Sequence, residues 1–343
     1  MTTSNLEVSE VRLLTFIVSE EEENIRLDKF LAQRINRISR TGLQKLIETE
    51  NVKVSGEIVT KSSFPVQIDQ EVELEIPNIP DETQLIPQEI PLDILYEDES
   101  VIVLNKQANL VVHPAAGNFD NTLVNGLLYY SNQFEKMKIN VRPGIVHRLD
   151  KHTTGAMIVA KTPHAHMRLC EQFANREVSK EYFAICFGHF EEKSGLIETN
   201  IAHHPTKRHR MAVTKEGKES RTEYYVLKEY PLFTTLRLLL HTGRTHQIRV
   251  HLSHINHPIL GDTTYGGRKS KFGGIDGVKS HFVNRLLKIM PNQALHSRQL
   301  GFHHPISNQW MEFIAPFPET IQNAVSILEK SSENPIFQED WWE

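Results

Sequence analysis

The chain has 343 residues, of which 39% are hydrophobic and 24% charged. That excludes wholesale disorder or a fibrous structure and leaves room for a domain with a full core plus a smaller module. The formal net charge of −5 argues at first against nucleic acid, but the acid is concentrated in "SEEEEN" and "FQEDWWE", and phosphate responds to local charge.

The N-terminus has no basic start followed by an apolar stretch, and no segment runs about 18 apolar residues without interruption. A cytoplasmic location is expected. Residues 25–76 read as a compact α/β module. "RLDKFLAQRI" places Leu27, Phe30, Leu31 and Ile35 at helical spacing, and "SRTGLQKLIE" opens a second amphipathic helix with Ser39 as N-cap. "VKVSGEIV" alternates around a Ser-Gly turn and "QEVELEI" alternates again, so a small sheet follows. Between Ile25 and Val54, Arg26, Lys29, Arg34, Arg37, Arg40, Lys45 and Lys53 face only Asp28, Glu48 and Glu50. The segment is basic, although such a helix face is by default simply solvated.

Pro77, Pro80, Pro87 and Pro91 mark residues 77–91 as a semi-rigid linker. Residues 92–325 read as one α+β domain. Two short strands are expected in "SVIVLNKQANLVVHP", then a helix in "NTLVNGLLYY", a buried strand in "GAMIVAKT", a helix in "PHAHMRLCEQFANR" and a strand in "SKEYFAICFGHF". "RTEYYVLKEYPLFTTLRLLLHTG" suggests a hairpin, "THQIRVHLSHIN" a helix with Ile248, Leu252 and Ile255 on one stripe, and "LGFHHPISNQWMEFIAP" a last hairpin. Cys170 and Cys186 cannot form a disulfide framework and are expected as core thiols.

The chemistry begins at "GIVHRLDKHTTGAMIVAKT", where Asp150 lies among His147, Arg148 and Lys151 just before an apolar run. His241, His246, His251, His254 and His257 invite a metal, but no HExxH pattern accompanies them and the only close acid is Asp262, so no metal is expected. "HRLDK" is similar to a kinase catalytic loop, yet the glycine-rich loop and D-F-G are absent. Neither dinucleotide nor P-loop signature occurs. What remains is Asp150 and a second polar cluster, "HTGRTHQIR". Gly243 permits a tight turn, Thr245 can cap a helix, and Arg244 can point across a cleft toward Asp150. A carboxylate so paired is a nucleophile or an electrostatic stabiliser. Each residue alone is more often a surface ion pair, and Tyr182 more often a core aromatic; their joint occurrence changes that.

These stretches, with "LVVHPAAGNFDNTLVNGLLYY" and "ALHSRQLGFHHP", resemble the RluA-type family of pseudouridine synthases over nearly the whole chain. Residues 25–76 resemble an S4 RNA-binding domain. The resemblance implies a catalytic domain on a mixed, largely antiparallel sheet, and isomerisation of uridine in RNA without cofactor or metal. By motif, Asp150 is the catalytic aspartate, Tyr182 the aromatic that stacks on the base, Arg244 the partner of Asp150, and Arg148 the arginine that enters the RNA stack. Arg26, Lys29, Arg40, Lys45 and Lys53 would contact RNA, and "KRHR" at 207–210 would hold phosphates. Where the family commonly has Thr-Ser-Gly, Thr153, Thr154 and Gly155 stand here, a change expected to touch loop packing only. The module and the "LVVHPAAGNFDNTLVNGLL" stretch favour large-subunit (23S) ribosomal RNA as substrate, with transfer RNA second, and a monomer is expected. The rival readings are a non-catalytic ribosome-assembly factor and a metal-dependent hydrolase; a hydrolase would want a second carboxylate and an activated water.

Overall fold

The computed structural model describes residues 12–35, 38, 40–76, 86–113, 120–131, 144–207, 210–268 and 277–332. They form two compact units that divide between Gln84 and Leu85.

In the first unit, α1 (Leu27–Arg34) and α2 (Arg40–Glu48) cover a four-stranded antiparallel sheet in the order β1 (Arg12–Ile17), β4 (Glu71–Ile76), β2 (Val52–Val54), β3 (Glu57–Ile58). Phe30, Leu31, Leu43, Ile47, Val52 and Leu74 are fully buried between the layers. Ser55 and Gly56 both take positive φ, 52° and 83°, the twist a two-residue hairpin requires. Ahead of the expected lower bound at residue 25, β1 adds a strand that pairs with β4 along its whole length. Ser39, expected as an N-cap, lies outside the described residues.

The second unit is built on one ten-stranded sheet. Along its main path the order is β10 (Met211–Val213), β9 (Ser194–His203), β11 (Lys218–Tyr230), β12 (Phe233–Leu240), β8 (Ser179–Phe187), β13 (Leu295–His303), β7 (Thr154–Ala160), β6 (Val101–Lys106), β5 (Ile94–Glu97), and β14 (Trp310–Ile314) pairs with β13 off this path. All pairings are antiparallel except β13 with β7. The sheet is therefore mixed and largely antiparallel, in an α+β architecture. Every residue of β7 is buried, as its unbroken "GAMIVA" run requires. The helices are α3 (Leu123–Tyr130), α4 (Pro163–Asn175), α5 (Gln247–His254), α6 (Gly277–Ile289) and α7 (Glu319–Ser332).

Several expectations shift. The second strand of "SVIVLNKQANLVVHP" reduces to one bridge between Val111 and Thr122. Of the expected linker, residues 77–85 lie outside the described residues, while 86–91 are bound to the second unit: the Gln88 N–H donates to the Asn125 carbonyl at 3.0 Å and Asn125 Nδ2 to the Ile86 carbonyl at 2.8 Å. The domain also runs past residue 325, because Leu328 of α7 is fully buried. Cys186 is a core thiol, whereas Cys170 is only partly buried. Among the described residues no helix is long and apolar enough to cross a membrane.

Candidate active site

The loop of residues 144–153 runs back along β7 and is fastened to it at several points. Ile145 bridges Val159, the Ala160 N–H donates to the Gly144 carbonyl at 2.8 Å, and the Ile158 N–H donates to His147 Nε2 at 3.0 Å. His147 also stacks on Phe173, ring centroids 4.7 Å apart. Burial pushes its pKa down to about 3, as suits a ring that must accept a backbone proton. Leu149 is buried and Arg148 exposed, so the alternation leaves Asp150 at the edge of a cleft.

Gly155 follows with φ +110°, and a Cβ there would sit 2.2 Å from the Ser297 carbonyl oxygen. Only glycine lets β7 and β13 approach so closely. Thr154 Oγ1 lies 2.8 Å from His296 Nδ1. The hydroxyl that replaces the family's usual serine is thus engaged in the sheet and lies outside the cleft lining.

Arg148, Asp150, Thr153, Tyr182, Arg244, His246 and Arg249 line one cleft. Asp150 Oδ2 accepts from Arg249 Nη1 at 3.0 Å, and both side-chain contacts fall on this oxygen: His246 Nε2 stands 3.9 Å from it. Oδ1 makes no hydrogen bond among the described residues, and Asp150 is one of the residues that line the cleft. The expected partner, Arg244, is elsewhere: its Nε donates to the Glu219 carbonyl on β11 at 3.0 Å. The reason is local. Thr245 does not cap the helix; the cap is His246 in a left-handed conformation, and Gln247 Oε1 accepts the Arg244 N–H at 3.0 Å. This turns residue 244 outward and Arg249, in the first turn of α5, inward.

Arg249 is 7% exposed, so its charge must be met. Nε and Nη2 bind Asp262 at 2.6 and 3.0 Å, and Asp262 is fully buried. Asp262 Oδ1 also accepts the N–H groups of Thr264 and Tyr265. Burial works against the guanidinium charge, but Asp262 and Asp150 more than offset it, so its pKa is raised. The Tyr265 ring lies 4.9 Å beneath the guanidinium.

Tyr182 projects from β8 opposite Ser297 of β13 and is 6% exposed. Burial pushes its phenol up to about 12, with Asp150 adding to the effect and the hydrogen bond to Ser297 opposing it. Near neutrality it is therefore an uncharged aromatic with a proton to share.

Sequence reasoning missed Lys106. It is 1% exposed, and its Nζ donates to the carbonyls of Gln107, Leu110 and Lys151 at 2.8, 2.9 and 3.3 Å, which ties the Asp150 loop to β6. Burial pushes it down to about 7, and the nearby Asp150 works in the other direction. His246 is likewise pushed below the ordinary histidine value by burial, against the pull of Asp150. The buried Lys106 stands in β6 two residues after the apolar run Val101–Leu104, and that is the signal that could have found it.

The histidine cluster disperses. His251 is buried among Thr199, Ser220 and Thr222, His257 Nδ1 meets the Phe187 carbonyl, and His241 meets Glu223. Among the described residues no three His, Cys, Asp or Glu side chains are placed to hold a metal ion.

In the first unit Arg26, Lys29, Arg40, Lys45 and Lys53 are all exposed. Two of them are clamped. Asp28, fully buried, accepts Arg26 through Nε and Nη2 at 3.1 Å each, Arg40 Nη2 at 3.0 Å and Gln44 Nε2 at 2.6 Å. Burial alone would raise the Asp28 pKa, but these donors hold it well below the usual carboxylate range. Of "KRHR", Arg208 and His209 lie outside the described residues.

Comparison with known proteins identifies the family. The family model for RNA pseudouridylate synthase matches residues 100–254, and that for the S4 domain matches residues 25–72. The chain is 42% identical over 328 residues to ribosomal large subunit pseudouridine synthase D of Escherichia coli (strain K12), covering 96% of this chain and 98% of that one. It is 43% identical to an RNA pseudouridine synthase of Aquifex aeolicus over 95% of this chain and 100% of the relative. Among solved structures, human RNA pseudouridylate synthase domain containing 1 superposes with a TM-score of 0.52 at 27% identity, covering 69% of this chain and 89% of that one.

Proposed function

The chain belongs to the RNA pseudouridine synthases with an N-terminal S4 domain, and from that premise we propose that it isomerises specific uridines of large-subunit (23S) ribosomal RNA, with Asp150 as the catalytic carboxylate. The observation that carries the reading is Asp150 itself: a cleft-lining carboxylate with one oxygen anchored by a buried arginine and the other without a hydrogen bond among the described residues, in a chain that matches a large-subunit enzyme over almost its whole length.

The reaction conserves atoms. The N1–C1′ bond breaks, uracil turns, C5 bonds to C1′, the C5 proton leaves and N1 ends protonated. Asp150 Oδ1 is the group that acts on the ribose as the glycosidic bond opens. Arg249 holds the carboxylate in place through Oδ2 and stays charged because Asp262 shares it. Tyr182, uncharged, offers a stacking face to the base and a proton relay near C5.

A uridine in structured RNA is stacked, so it must be flipped out at a cost of about a few kcal/mol. Arg148, exposed at the cleft mouth, would fill the gap, and stacking on Tyr182 would offset the cost. Arg26, Lys29, Arg40, Lys45 and Lys53 would hold phosphates, and Arg244 would face the RNA from the cleft rim. The protein would act as a monomer in the cytoplasm, where its substrate is made.

The test is conversion of a large-subunit ribosomal RNA transcript by the purified protein, with transfer RNA as the alternative substrate. Pseudouridine should form in the ribosomal transcript and, with Asp150→Asn, should fall by more than about a thousandfold while RNA binding stays nearly intact. Turnover by that variant at the wild-type rate would refute the assignment.

A further inference from the structure

His246 occupies an uncommon position. Its φ of 57° and ψ of 17° place a residue with a β-carbon in the left-handed region at the start of α5. This conformation brings the imidazole between two groups. Nδ1 lies 2.8 Å from Tyr265 Oη, and Nε2 lies 3.9 Å from Asp150 Oδ2.

The Tyr265 hydroxyl accepts the Met211 N–H at 2.9 Å. Its own proton is then free, and His246 Nδ1 is the acceptor within reach among the described residues. An imidazole that accepts at Nδ1 carries its proton on Nε2. With Tyr265 as the donor to Nδ1, Nε2 carries an N–H beside Asp150 but beyond hydrogen-bond range of it.

The neighbouring donors are differently placed. Arg249 spends Nε and Nη2 on Asp262 and Nη1 on Asp150; Lys106 is held by three carbonyls; Arg244 Nε is held by Glu219. His246 Nε2 makes no hydrogen bond among the described residues, and the side chain lines the cleft beside Asp150.

We propose that His246 is a substrate-contacting residue whose Nε2–H donates to the uracil O2 of the target uridine, and that Tyr265 is the positioning residue that fixes its tautomer. The inference rests on the reading of Asp150 as the catalytic carboxylate. O2 is bonded to the carbon next to N1, so a donor within 4 Å of a carboxylate acting at the ribose can reach it. As N1–C1′ breaks, the bonding electrons pass to uracil and spread onto O2. A preorganised donor at that oxygen binds the transition state more strongly than the ground state.

The experiment measures single-turnover rate constants of pseudouridine formation on a large-subunit ribosomal RNA fragment, with fragment affinity and melting temperature, for His246→Leu, His246→Gln, Tyr265→Phe and Asp150→Asn. Leucine and glutamine meet the same left-handed backbone, so their difference isolates the donor. His246→Leu should lower the rate about a hundredfold with affinity changed less than about threefold, and His246→Gln, whose Nε2 can stand in for the imidazole donor, should recover at least about tenfold of it. Tyr265→Phe should lower the rate by about tenfold while keeping the ring beneath Arg249. A leucine variant as fast as wild type, or leucine and glutamine variants equally slow, would overturn the proposal. Should the leucine variant fail to fold, an unchanged rate in Tyr265→Phe would overturn it instead. An inactive Asp150→Asn beside a fast His246→Leu removes the His246 inference alone; an active Asp150→Asn removes the Asp150 reading and this inference with it.

Discussion

Both units of the chain organise their working residues around an acid–arginine cluster, and the two clusters are inverted. In the S4 unit the acid is buried and the arginines are on the surface: Asp28 is fully buried, while Arg26 and Arg40 keep 47% and 48% of their side chains exposed. In the catalytic unit the arginine is buried and holds two acids, the enclosed Asp262 and Asp150 at the cleft. The buried partner anchors, and under the proposed function the more accessible partner, Arg26 and Arg40 in one unit and the partly buried Asp150 in the other, would meet the RNA. An accessible cation suits phosphate; an accessible carboxylate suits chemistry at a sugar.

The inversion predicts different costs when the anchor is removed. Arg249→Met leaves Asp262 buried without its counter-charge and Asp150 without its hold. It should cost about 3–5 kcal/mol of stability and abolish turnover, read by denaturant melts and a pseudouridine assay. Arg244→Met, which frees only a carbonyl on β11, should leave stability nearly unchanged, and equal losses in the two variants would break the comparison.

Acid should separate the units next. His251 and His296 are fully buried in the catalytic unit, and burial pushes each down to about 4 from an ordinary 6.5. Between those values the unfolded chain binds protons that the folded one refuses, so stability falls as pH falls from about 6.5 toward 4. The S4 unit has no histidine between residues 12 and 76. Hydrogen exchange over that range should accelerate in β11 and α5 before it does in β1 and β4; uniform acceleration would contradict the assignment.

Asp28→Asn is the milder counterpart. Arg26 and Arg40 can turn to solvent, so the stability loss should be about 1–3 kcal/mol, with RNA affinity reduced and the single-turnover rate at saturating RNA unchanged. Smallest of all, Arg26→Gln should reduce the slope of log affinity against log salt by about 1, measured by filter binding at several salt concentrations.

The same comparison explains what the sequence disclosed. The S4 helices and hairpin follow from Leu27, Phe30, Leu31 and the Ser55–Gly56 turn, all local signals. Asp150 and Tyr182, which the structure brings to one cleft, could be singled out because "HRLD" and "SKEYFAICFG" are continuous stretches that resemble a family. The partner of Asp150 was not legible. "GRTHQIR" has two arginines, and choosing between them depends on the left-handed His246 and on Asp262, which is brought in by tertiary packing. The expected stripe of Ile248, Leu252 and Ile255 does pack on the core, but Gln247, Arg249 and His251 are buried as well, so most of α5 is enclosed and the periodic signal says little of these polar residues. Strands β9 and β10 lack clean alternation, and the parallel pairing of β7 with β13 joins residues about 140 apart, beyond any local pattern.

If Asp150 acts on uridines of large-subunit ribosomal RNA, pseudouridine mapping of that RNA in cells with the protein, without it, and with Asp150→Asn in its place will show it. The same sites should be lost in both altered strains. Sites that persist with Asp150→Asn, or a map unchanged by removal of the protein, would contradict it.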